Sequence, residues 1–260
     1  MSFQRIKAIY LRYFYYFAKF EHLAEMFYWP TIDIFIWGMM SVWVQTNEGP
    51  RSDVSQLIIT GLVFWQVIWR SSYEITVNIL QEFWNRNMVN LFSTPLKLSE
   101  WMAATMLTGI SKVLITLLFS TGLVYLLFTL NVFDIGIAII PFIGLLICSG
   151  WIIGYLTGGI IIFFGQRYQM LAWMMPFVFI PFSAVFYPLS ALPAWGQQIA
   201  KGLPMTYTFQ GMRHLLQEGT FSYKLFWMSL ILTSVFLIFS LGFFKLMFDK
   251  SREKGLSRLE

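Results

Sequence analysis

The sequence predicts an all-α membrane protein with six transmembrane helices, and three observations carry that prediction. Charged residues fill only 12% of the 260 positions while hydrophobic ones fill 57%, and a soluble domain normally carries about 25% charge. The apolar residues, with a mean hydropathy of +0.64 overall, gather into runs that match the roughly 20 helical residues needed to cross a hydrocarbon core of about 30 Å. Trp and Tyr cluster near the ends of those runs, where an amphipathic ring suits the headgroup region. Six spans leave short loops and no room for a sizeable soluble domain, and no linker divides the chain, so 1–260 reads as one domain. The net charge of +5 is no nucleic-acid footprint, because the basic residues sit at the ends of apolar runs. Cys148, the single cysteine, lies inside such a run and reads as a packed thiol.

Taken in order, residues 2–19 place Arg5, Arg12 and Lys19 seven residues apart, on nearly one helical face, with Ile6, Ile9, Tyr13 and Phe17 filling much of the rest. That predicts an interfacial helix with its basic residues toward water. A cleaved signal peptide fits less well, because Arg12 interrupts the apolar stretch. The first span reads 25–44, opening with Tyr28-Trp29-Pro30, and the second 54–79. Residues 79–101 then carry Glu82, Asn85, Arg86, Asn87, Asn90, Lys97 and Glu100 between two apolar runs. Leu80, Trp84, Met88 and Leu91 fall along one helical stripe, and Pro95 ends the helix. The spacing predicts a short amphipathic helix over 79–93, with Glu82 and Glu100 as surface charges. It would serve as a handle that something outside the membrane can push.

Further spans follow at 99–130, 135–164, 168–187 and 226–248. Before the last lies 188–222, too polar to span yet rich in Pro, Trp and Tyr. Pro193 opens one short helix ending near Gly202-Leu203-Pro204, and Thr206 or Thr208 caps a second that ends at Gly219. Two half-helices broken at Pro204 predict a re-entrant hairpin, which survives at membrane depth only when surrounded by protein or a water-filled cavity. With the N-terminus inside, twelve of the 18 Lys and Arg residues fall in cytoplasmic segments and four outside (Arg51, Lys201, Arg213, Lys224); Arg70 and Lys112 lie within spans. That bias places both termini and residues 79–101 in the cytoplasm and the hairpin outside.

Asp33, Arg70, Glu74 and Lys112 are ionisable residues inside predicted spans. Intramembrane charges usually pair, so mutual neutralisation is one reading; contact with the polar head of a transported amphiphile is the other. Gly150, Gly154 and Gly158 form two consecutive GxxxG units on one face, which let helix backbones approach closely; packing within the subunit is favoured over dimerisation. His22 and His214 are isolated and suggest no metal site. The sequence has no GxxxxGK[ST] phosphate loop, and no GxSxG, HExxH or CxxC motif, so neither ATP hydrolysis nor covalent chemistry is expected of this chain. The other classes considered are an integral membrane lipid-modifying enzyme, which would gather acid and base residues at one interface, and a secondary transporter, which would show internal repeats.

Two segments carry a family resemblance. QEFWNRNMVNLFSTPLKLSEW is similar to the acidic residue, short helix and "tPl…E" signature that leads into the third span of type-2 ATP-binding-cassette exporter permeases. SAVFYPLSALPAWGQQIAKGLPMTYTFQGMRHLL resembles the same family's "lP.w…i…lP.ty…..R.ll" pattern. The resemblance implies a cytoplasmic coupling helix, with Gln81, Glu82, Phe83, Trp84, Asn85, Arg86, Asn87, Val89 and Phe92 docking on a separate ATPase. It further implies an external gate of Pro193, Trp195, Pro204, Tyr207 and Arg213, bordered by Tyr187. The working unit would be two permease copies and two ATPase subunits, with ATP and Mg on the partner, no cofactor on this chain, and a bacterial inner (plasma) membrane as its location. Where some relatives carry glycine in the coupling helix, this sequence has Arg86-Asn87.

Overall fold

A computed structural model describes residues 1–17, 19–48 and 52–255, with side chains at the same positions except 21, 22, 44, 45, 47, 48, 52–55, 134 and 135. Arg51 and Arg258, counted in the charge balance, Ala18 of the predicted interfacial helix and the His22 side chain lie outside that description. The described residues are helical, with no strand among them. In chain order the α-helices are α1 (Phe3–Phe17), α2 (Phe20–Glu48), α3 (Ser52–Trp84), α4 (Met88–Ser93), α5 (Leu98–Phe128), α6 (Ile140–Phe164), α7 (Leu171–Phe179), α8 (Ala194–Lys201), α9 (Pro204–Glu218) and α10 (Tyr223–Glu253). By length and composition, Leu98–Phe128, Ile137–Phe164 and Tyr223–Glu253 are apolar enough to cross a membrane. The protein is therefore an all-α, membrane-embedded chain.

α3 is the central element. It runs unbroken for 33 residues, and its polar residues Gln66, Arg70, Glu74, Asn78, Gln81 and Glu82 are all buried. Helix α5 lies antiparallel beside it: Ser120 donates to Gln66 at 2.7 Å and Lys112 reaches Glu74 at 2.5 Å. Helix α6 lies parallel to it, with Gly150 over Ile68 and Ser71, Gly154 over Ile75 and Gly158 over Ile79. A Cβ at Gly158 would come within 2.5 Å of Ile79 Cδ1, so the small residues are what let the two backbones approach. The GxxxG face thus packs within the subunit, as favoured from sequence. On its other side α6 meets α10, where Gly159 faces Phe243. Half of the apolar stretch within Ile137–Phe164 is buried against 17% for that of α10. The exposed Ile231, Val235, Ile238 and Phe239 of α10 are side chains that lipid tails accept.

Apolar side chains gather into two cores at opposite ends of α3. One joins Tyr13, Phe83, Met88, Trp101, Tyr155, Phe244 and Phe248; the other joins Phe64, Phe142, Val185, Phe209 and Met212. Gly61 lies against Val185 near one end and Trp84 closes the other, about 34 Å away at 1.5 Å per residue.

Two predicted elements differ from the structure. The 168–187 run is not one helix: α7 has nine residues and passes into a 3-10 turn over Ile180–Phe182. Pro176 and Pro181 each remove a backbone donor, and Ala184 then takes a left-handed φ of 53°. The predicted helix over 79–93 is also broken, because α3 ends at Trp84 and α4 restarts at Met88.

Candidate functional site

The end of α3 explains that break. Arg86 N–H bonds to the Phe83 carbonyl at 3.0 Å and Asn87 N–H to the Glu82 carbonyl at 2.8 Å. This is the double closure of a Schellman motif, whose left-handed residue is usually glycine. Arg86 occupies it with φ 48°, at a cost of roughly 1–2 kcal/mol for a residue with a Cβ. The departure noted in the sequence therefore falls at the one backbone position here where glycine would be at ease.

The turn sorts the predicted docking residues. Trp84, Asn85, Arg86 and Val89 lie on the surface, and Asn87 is half-buried. Gln81, Glu82 and Phe83 are buried, the last two at 0% and 2% exposure. Phe92 turns inward, its ring 5.3 Å from Trp101 and 4.6 Å from Phe248. The surface is thus a turn and one face of a six-residue helix, fixed laterally by Trp84 Nε1 donating to Gln169 at 3.1 Å.

Glu82 and Glu100 are not surface charges. The Glu82 carboxylate accepts from Arg12 at 3.0 Å, Tyr13 at 2.8 Å and Asn87 at 2.6 Å. Glu100, 1% exposed, accepts from the backbone of Lys97 at 3.0 Å and Ser2 at 2.6 Å, and from Arg5 at 3.4 Å. Arg5 and Arg12 therefore turn partly inward, in place of the wholly outward face predicted for α1. Trp101 Nε1 donates to the Tyr13 hydroxyl at 2.7 Å, so the phenol sits inside a closed chain from α5 through α1 to α3. Burial, and next the Glu82 charge, push the Tyr13 phenol well above its ordinary range. It stays a neutral donor to the carboxylate. Tyr10, hydrogen-bonded to Ser111 at 3.0 Å, adds a further tie.

Of the four predicted intramembrane charges, the structure brings three together. Glu74 accepts Lys112 at 2.5 Å and lies 3.3 Å from Arg70 Nε. Asp33 stands apart, half-buried on α2, with no ion pair among the described residues. The cluster opens on a small cleft whose walls include Tyr16, Glu25, Tyr73 and Gln81. Tyr73 donates to Glu25. Sequence reasoning missed Glu25, which looks like a span boundary, and Tyr73, one residue from Glu74. The signal was the recurrence of Arg70, Tyr73, Glu74 and Gln81 at spacings of three, four and seven, which puts them on one helical face. Among the described residues two cations face two carboxylates, the balance that pairing inside a membrane favours. Among the described residues no three His, Cys, Asp or Glu side chains converge as metal ligands would.

The hairpin residues lie at the far end of α3. Pro193 precedes α8, Gly202 ends it, and Pro204 starts α9, which closes at Gly219 with φ 65°. Neither threonine caps α9. Thr206 instead bonds the Phe182 carbonyl at 3.0 Å, and Thr208 meets Ser229 at 2.6 Å. Tyr187 donates to the Pro181 carbonyl, Tyr207 to Lys201 at 2.9 Å and Arg213 to Ala184 at 3.0 Å. Trp195 is exposed, its ring 6.0 Å from Phe182. Every predicted gate residue therefore lies in or beside this one compact unit, and the polar ones, Tyr187, Tyr207 and Arg213, are anchored on main-chain carbonyls.

Among curated proteins, a similarity search finds no match to the chain. A family model described as "ABC-2 type transporter" matches residues 5–216, from α1 through α9. That stretch holds the turn at 84–87, the charge cluster and nearly all of the hairpin, and permeases of this family generally work with ATPase partners. The chain is thus a membrane subunit of an ABC transporter and belongs to the ABC-2 type transporter family.

Proposed function

We propose that the chain is the permease of an ATP-driven exporter that moves an amphipathic or lipid-linked substrate from the inner leaflet or cytoplasm outward. The observation that carries this reading is the turn after α3. Trp84, Asn85, Arg86 and Val89 protrude, while Glu82 just behind them is bonded to α1. A push on the protruding turn passes directly into α3 and, through one carboxylate, into α1. Two separate ATPase subunits supply ATP and Mg chemistry, and this chain carries no covalent step. Two permease copies flank the substrate path. α2, α3, α5, α6, the α7 segment and α10 are the six spans, with α1 at the interface of a bacterial plasma membrane. Both termini are cytoplasmic and the hairpin is outside, an orientation supported by the twelve-to-four division of basic residues.

Co-purification from the native membrane in mild detergent tests the reading. A stoichiometric ATPase should accompany the wild-type chain and be lost from Trp84→Ala/Arg86→Glu, while Trp195→Ala in the hairpin retains it. Purification without an ATPase, or unaltered ATPase recovery and transport in the double variant, would sink the proposal.

A further inference from the structure

Asp33 is the predicted intramembrane charge that the rest of the chain does not answer. It stands near the middle of α2, about 20 Å from the first residue of that helix and about 22 Å from the last at 1.5 Å per residue. Met26, Pro30, Ile34 and Gly38 form the packed stripe of α2. A Cβ at Gly38 would run into the Phe128 ring, so the rotation of the helix about its axis is fixed. That rotation sets Asp33 at the shoulder of the stripe, beside Trp29, Ile36, Trp37 and Met40 at helical spacings of three, four and seven. Trp29, Ile36 and Met40 are exposed. Tyr28 braces the Trp29 ring at 5.3 Å, and Trp37 stacks on Phe186 at 5.0 Å. The carboxylate is thus half-buried between two indoles, one turn to either side.

Among the described residues Asp33 has neither an ion pair nor a hydrogen bond. Of the cations outside the description, His22 is 11 residues away on the same helix, about 16 Å, and Arg51 and Arg258 follow the ends of α2 and α10 in sequence. A second copy of the chain brings no spare cation to this depth either. Arg70 and Lys112 are buried against Glu74, and the other described cations lie toward the two ends of the bundle. A carboxylate at mid-span that faced only lipid would be costly, and such residues mark the path of a substrate or ion. The missing charge therefore has to arrive with what passes. Indole faces beside a carboxylate suit an organic cation, which the rings attract through their quadrupoles.

We propose that Asp33, flanked by Trp29 and Trp37, recognises the cationic group of an amphiphile, whose apolar part lies on Ile36 and Met40. This deepens the permease reading and rests on it, narrowing the substrate to cationic amphiphiles. Binding at Asp33 is a separate property from ATP-driven transport and can be measured alone.

The test is equilibrium binding of radiolabelled tetraphenylphosphonium and of its anionic isostere tetraphenylborate. The full-length protein is held in phosphatidylcholine nanodiscs, and empty discs are subtracted. The wild type should bind the cation saturably and about tenfold tighter than the anion, the scale of one charge contact shielded from water. Asp33→Asn should lose that preference at unchanged thermal unfolding, Asp33→Glu should keep most of it, and Trp29→Ala should weaken the cation about threefold. Absence of saturable cation binding, equal binding of both ions, or a preference that survives Asp33→Asn overturns the proposal. A large fall in the thermal stability of Asp33→Asn would also overturn it, by making the carboxylate structural. If millimolar tetramethylammonium competes as well as unlabelled tetraphenylphosphonium, the amphiphile class falls in favour of a small cation. A wild type without preference whose Asp33→Asn variant loses self-association would sink it in favour of a contact between copies. Because no ATPase is present, failure here leaves the permease reading intact, and an absent ATPase partner leaves a positive binding result standing.

Discussion

The two ends of α3 are held by different chemistry. At the turn end, carboxylates of α3 and α5 are bonded to arginines of α1: Glu82 to Arg12 and Glu100 to Arg5. At the hairpin end, Thr206, Tyr207 and Arg213 bond to main-chain carbonyls. Each ion pair at the turn end has one partner about 40% exposed, so water takes up the arginine when the pair opens. The buried carboxylate keeps its other donors, Tyr13 and Asn87 on Glu82 and the Lys97 and Ser2 amides on Glu100. Carbonyls in a turn that is already pinned have nowhere to move. The turn end is therefore suited to transmitting a displacement, and the hairpin end to preserving a shape.

The comparison breaks most readily at the charge cluster. Glu74→Leu leaves Arg70 and Lys112, 3% and 5% exposed, without their shared carboxylate, and should destabilise the fold by about 3–5 kcal/mol. Thermal unfolding in detergent checks this, and the quadruple variant Glu25→Gln/Arg70→Met/Glu74→Leu/Lys112→Met, which removes all four charges, should recover most of the loss. A stable quadruple variant that no longer transports would mark the cluster as a substrate contact and not merely a neutralised core.

Glu82→Ala should cost about 2 kcal/mol, less than a fully enclosed pair because Arg12 remains half in water. Its signature is faster amide exchange in α1 while α9 stays protected. Tyr13 adds a pH dependence whose sign is fixed. Its folded pKa is raised above the ordinary value of 10.0, so its contribution is complete below about pH 10 and declines above that. Exchange in α1 should rise from that pH upward, and Tyr13→Phe should flatten the rise.

At the hairpin end, Thr206→Val leaves the Phe182 carbonyl without its partner and should cost about 1 kcal/mol, with exchange rising in α9 and not in α1. The smallest effect has the opposite sign. Arg86→Gly relieves a left-handed residue and should gain about 0.5–1 kcal/mol in thermal unfolding. If the guanidinium contacts the ATPase, the same variant loses partner affinity as it gains stability.

The long apolar runs were legible because a bilayer tolerates little else, and helices α2, α3, α5, α6 and α10 overlap the runs read at 25–44, 54–79, 99–130, 135–164 and 226–248. The hairpin's two helices were legible from Pro193, Gly202, Pro204 and Gly219. What stayed hidden depended on contacts between distant parts of the chain. Nothing near Glu82 says that Arg12, 70 residues earlier, will cover it. The break at Asn85–Asn87 was masked because Leu80, Trp84, Met88 and Leu91 keep helical spacing across it. No glycine stands there to announce the left-handed turn. Arg213 was found as part of a motif, but carbonyl partners leave no trace in a side-chain pattern. The short α7 was the avoidable miss, since two prolines five residues apart already argue against an unbroken span.

The glycine seam between α3 and α6 has a mechanical consequence. Close contact from Gly150 to Gly158 splints two parallel helices into a single stiff rod that resists bending and answers force by leaning. Over the roughly 34 Å from Trp84 to Gly61, each degree of lean offsets one end from the other by about 0.6 Å. Five degrees amounts to about 3 Å, the span of one hydrogen bond. Substituting alanine into the seam would pry the two helices apart, and much of that travel would be lost before it reached the far end.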